Sequence, residues 1–74
     1  MRAVELCLSD AVKLMLERGK KAQKESGTGA DYERGVAFGI YEAVSLLHQQ
    51  VQAFGLEPQM YGFPADFVAE KELL

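Results

Sequence analysis

His48 and Cys7 are the only histidine and the only cysteine in this chain. Their chemistry is what a metal site or a nucleophilic enzyme would need first. A closed zinc site needs four Cys or His ligands, so one chain cannot build it. Di-iron bundles place Glu-x-x-His on a helix, but here the residue three before His48 is Ser45. Glu42, six positions before His48, would point about 120° away from it on a helix. Two copies of His48 brought together by a two-fold axis would still be an incomplete ligand set. Cys7 sits in VELCLSDAV beside Glu5 and Asp10. Acidic neighbours disfavour a thiolate, so Cys7 reads as a small hydrophobe. Ser9, Asp10 and His48 supply the residue types of a hydrolytic triad. However, Ser9 and Asp10 are adjacent on one helix and diverge by about 100°, so nothing orders both against one imidazole. SGTGAD lacks the preceding strand and the Lys-Ser/Thr of a phosphate-binding loop. No catalytic residue, metal or cofactor is therefore expected, and the chain reads as a non-enzyme.

The run RGKKAQK raises a second possibility, a nucleic-acid-binding regulator. Arg18, Lys20, Lys21 and Lys24, joined by Arg34, would gather at one end of a helical hairpin. Glu17, Glu25, Asp31 and Glu33 lie in the same region, and the bases spread around the helix instead of forming one stripe. The net charge of −3 gives no general attraction to polyanions. The bases suit the end of a helix, where cations complement its dipole, better than a phosphate-binding face.

The elements that would carry any site follow from the apolar spacing. Val4, Leu8, Ala11, Val12 and Met15 fall on one helical stripe, and segment 4–25 ends in bases. ESGTGAD reads as a stop and restart, with Gly27 at the left-handed position after the helix and Thr28 or Asp31 as the next cap. A second helix over 30–54 would be roughly 37 Å long. Gly55 suits the left-handed position after it, Leu56 follows, and Pro58 blocks continuation. A short connection joins antiparallel neighbours, so 1–55 is expected to be a helical hairpin. Residues 56–74 form a tail punctuated by Pro58, Gly62 and Pro64, with a short helix opening at Pro64 and running to about 73. The run YEAVSLLHQQVQAFGL looks like a small bacterial helical protein, and it points to no family. The expected fold is all-α and a single domain over 1–74.

At 74 residues such a core is marginal unless a disulfide, a metal or self-association supplements it. The first two are excluded above, which favours self-association. The second helix agrees. Its apolar arc spans about 240°, about twice what covering one neighbour requires. Gly35, Gly39 and Ala43 cluster near one edge of that arc, where they allow two backbones to approach closely. They serve either the contact with the first helix or the seam of a dimer, with Ile40 and Leu47 alongside. The expected assembly is a homodimeric four-helix bundle. Met60, Tyr61, Phe63 and Phe67 place large anchors in the tail, and Phe38 stands alone on a polar face. They either fold back on the hairpin around Phe38 or dock another protein. No apolar run approaches the roughly 20 residues of a membrane span, and no secretory leader is legible. A cytoplasmic homodimer acting as a protein-interaction module is the expectation.

Overall fold

A computed structural model describes residues 2–26 and 31–74. Four helical elements follow one another, and there is no strand among the described residues. Helix α1 spans Ala3–Ser26 and helix α2 spans Asp31–Ala53. A 3-10 turn, Pro58–Tyr61, and a short helix α3, Ala69–Leu73, complete the chain. The expected Gly27 and Thr28 caps lie outside the described residues.

Helix α1 begins where the Leu6 amide donates to the Arg2 carbonyl at 3.0 Å. The Glu5 carboxylate reaches back to the Arg2 amide at 3.4 Å, which is half of a capping box. Helix α2 ends as its residues dictate. Gly55 takes φ +73°, its amide donates to the Gln52 carbonyl at 2.9 Å, and the Leu56 amide donates to the Val51 carbonyl at 3.0 Å. That pair of bonds is a Schellman motif, and it satisfies carbonyls the helix would otherwise leave open.

The two long helices form the expected hairpin, closed by Arg18, whose guanidinium donates twice to the Glu33 carboxylate at 3.3 and 3.4 Å. Gly19 is the glycine that permits the close approach. A methyl group there would lie 2.8 Å from both Ile40 Cγ2 and Leu73 Cδ2. The tail then crosses one face of the hairpin. Phe63, Phe67, Ala69 and Leu73 join Val12, Leu16, Val44 and Val51 in a single buried cluster, with Ile40, Leu47 and Tyr61 packed against it. Lys20 and Glu72 tie α3 to α1 at 3.0 Å, and Gln23 donates to the Leu74 carbonyl.

Two expectations need correction. The tail helix does not run from Pro64. Residues 64–67 make a turn, Val68 is extended at φ −130°, and helix resumes only at Ala69. On one continuous helix Phe67 and Ala69 would point about 200° apart, whereas the extended Val68 lets both face the core. The inward stripe of α1 is also displaced. Val12 is buried and Met15 packs on the core, but Val4, Leu8 and Ala11 are exposed. The tail lands beside Val12, Leu16 and Gly19 and rotates the buried face toward them.

Candidate interaction surface

His48 is half-buried, its ring centroid 4.9 Å from those of both Phe63 and Phe67. The two phenyl rings lie 5.2 Å apart, so the imidazole completes an aromatic trio. A cleft of about 340 Å³ opens next to it, lined by Gln52, Glu57, Asp66 and Phe67 among others. Among the described residues no group of three His, Cys, Asp or Glu is placed to hold a metal. Cys7 is exposed on α1, far along the chain from His48.

The larger feature is apolar. Gly35, Gly39 and Ala43 are all exposed, and a methyl group on either glycine would meet nothing within 4 Å. Neither glycine therefore lies in the contact with α1, a role that Gly19 fills. Leu46 is 63% exposed and Tyr32 68% exposed on the same side of α2. Tyr32, Val36, Gly39, Ala43, Leu46, Gln50 and Ala53 alternate steps of four and three residues, the spacing of a coiled-coil seam. Helix α1 carries a matching stripe at Val4, Cys7, Ala11 and Leu14, all exposed.

Both stripes lie on the same side of the hairpin. The tail meets α1 through Ser9, Val12, Gly19, Lys20 and Gln23. On a helix, the centre of the Val4–Leu14 stripe is about 150° from that set. The tail meets α2 around His48 and Ala37. The Gly39–Leu46 stripe is likewise about 160° away. The tail thus covers one face of the hairpin and leaves the opposite face apolar.

The tail residues expected to dock a partner divide. Phe63 and Phe67 are 3% and 7% exposed and belong to the chain's own core, so they offer no surface. Tyr61 is half-buried against the core. Phe38 is not the centre of the folded-back tail. It stays 54% exposed, its ring 5.9 Å from that of Tyr41, beside a shallow groove lined by Arg34, Ala37, Leu73 and Leu74. Val4 and Ala11 fit two stripes by spacing alone, the inward one with Leu8, Val12 and Met15 and the outward one with Cys7 and Leu14, and the tail selects the second.

Gly35→Ala combined with Gly39→Ala is expected to stabilise the dilute, single chain. Both sites are in mid-helix with open space, where alanine is favoured by roughly 0.5–1 kcal/mol each. A thermal melt at low concentration should rise by several degrees. A fall in a sample whose mass is that of one chain would mean that the glycines carry an intrachain contact.

No helix among the described residues is long and apolar enough to cross a membrane. No protein-family model matches the chain, no curated protein matches it, and no solved structure does.

Proposed function

We propose that this chain is a non-enzymatic protein-interaction module that works as a homodimer, two hairpins joining as a four-helix bundle in a cytoplasmic setting. One observation carries the reading: the face of the hairpin opposite the tail is apolar along α2 and along the first half of α1, although the chain already has a core of its own. Monomeric proteins rarely leave a large contiguous apolar patch uncovered. The assembly residues are Gly35, Gly39, Ala43 and Leu46 on α2 with Cys7, Ala11 and Leu14 on α1. Ile40 and Leu47 support them from the hairpin's own interior. Docking of another protein passes from Phe63 and Phe67 to Phe38 and the groove beside it, on the outside of such a bundle.

The test is solution mass by light scattering across a hundredfold dilution. The expected result is twice the 8.2 kDa chain mass, with Leu46→Glu or Gly39→Leu reducing it to one chain while the helical signal persists. A wild-type mass of one chain throughout would overturn the reading.

A further inference from the structure

We infer that the cleft beside His48 is a docking site for an arginine side chain presented by a partner protein. The inference rests on the interaction-module reading for its protein partner, and it adds a site on the tail side of the hairpin. The cleft is bounded by the end of α2 and by two stretches of the tail, one on either side of Gly62. Pro58, Pro64 and Phe67 give it apolar walls, and His48, Glu57 and Asp66 are among its polar lining. Its volume of about 340 Å³ stands at the low end of the roughly 300–1,000 Å³ usual for ligand clefts. That suits one long side chain better than a folded segment.

The walls are already built. The Phe63 amide donates to the Pro58 carbonyl at 3.2 Å and the Phe67 amide to the Pro64 carbonyl at 3.3 Å, so each stretch is a closed turn. Each turn also starts at a proline, whose φ is fixed. Phe67 is anchored in the core, its ring 4.9 Å from that of His48. A side chain entering the cleft meets surfaces that need little ordering, which lowers the cost of binding.

Charge decides what the cleft accepts. No Lys or Arg lines it, and the sequence holds none between Arg34 and Lys71. Among the described residues Glu57 and Asp66 have no ion pair and no side-chain hydrogen bond, whereas Asp31, Glu33 and Glu72 each have a cation of the chain's own. His48 has ring contacts there but no hydrogen bond. An anion would meet two carboxylates, and a metal ion finds no set of three ligands among the described residues. An organic cation meets both carboxylates beside apolar and aromatic surface. A guanidinium suits that mixture better than an ammonium, being planar and more weakly hydrated. It stacks on rings while its N–H fork donates to carboxylates, and its methylenes lie along apolar walls.

The experiment titrates the full chain, labelled with nitrogen-15, with N-acetyl-arginine amide, with its neutral isostere N-acetyl-citrulline amide and with free arginine. Solution mass is recorded on the same sample. The capped arginine is expected to shift the amides of Gln52, Glu57, Asp66 and Phe67 saturably, with a Kd on the order of 1–10 mM. The citrulline probe should bind about fivefold more weakly or worse. Glu57→Gln combined with Asp66→Asn, both at exposed positions, should weaken the capped arginine to the level of citrulline. No saturable shift, or equal binding of the arginine and citrulline probes, overturns the site. Tighter binding of free arginine than of the capped form overturns the protein source. A dimeric mass without the shifts overturns the site and leaves the module reading standing. A one-chain mass with the arginine-specific shifts overturns the dimer and supports the site.

Discussion

A chain ending before Pro58 is expected to lose cooperative folding. Among the described residues, Phe63, Phe67, Ala69 and Leu73 supply four of the ten buried hydrophobic ones, and Leu73 is among the three largest side chains that are fully enclosed. Burying a side chain of the size of Phe or Leu contributes roughly 1.5–3 kcal/mol. Truncation removes three such contributions and uncovers Val12, Leu16 and Val44, which they cover. The total stability of a domain this size is on the order of 4–11 kcal/mol. The loss is therefore as large as the whole, and the truncated chain should show no cooperative thermal transition by circular dichroism. Single replacements grade the effect, since Phe63→Ala alone should cost about 3–5 kcal/mol. A truncated chain melting near the full-length temperature would show that the hairpin is independent of its tail.

That outcome bears on how far residues alone could carry the fold. Both long helices and the Schellman end of α2 were legible because each depends on residues within a turn or two of one another. Gly55, Leu56 and Pro58 determine that end whatever lies elsewhere. The inward face of α1 was not legible in the same way. Val4 and Val12 are equally apolar, and only the landing place of residues 62–73 decides that Val12 is covered and Val4 is not. The same non-local choice puts Phe63 and Phe67 in the core instead of at a docking surface, and gives His48 two phenyl neighbours. The excess width of the apolar arc of α2 was legible, and it marks the candidate surface. Its counterpart on α1 emerged only once the tail had claimed the other side.

Gly62 ties these levels together, and Gly62→Ala is expected to be the most damaging single methyl group in the chain. Among the described residues two glycines take positive φ, Gly55 at +73° and Gly62 at +95°. An L-residue in that region costs roughly 1–2 kcal/mol. At Gly55 the cost stops there, because a methyl group would meet open space. At Gly62 the methyl group would also collide with the Ser9 carbonyl oxygen and lie 3.1 Å from Val12 Cβ. The backbone of α1 cannot rotate aside as a side chain would, so the tail must lift from the hairpin. Overpacking adds about 1–3 kcal/mol, for a combined cost of about 3 kcal/mol. That is a large share of the stability available, and Gly62 anchors the 3-10 turn through which Phe63 reaches the core, the Phe63 amide donating to the Pro58 carbonyl at 3.2 Å. In thermal melts Gly62→Ala should fall by about 12 °C or more, against about 4–8 °C for Gly55→Ala. Equal shifts would mean that backbone conformation alone sets the cost, and that the approach of the tail to Ser9 is looser than the structure has it.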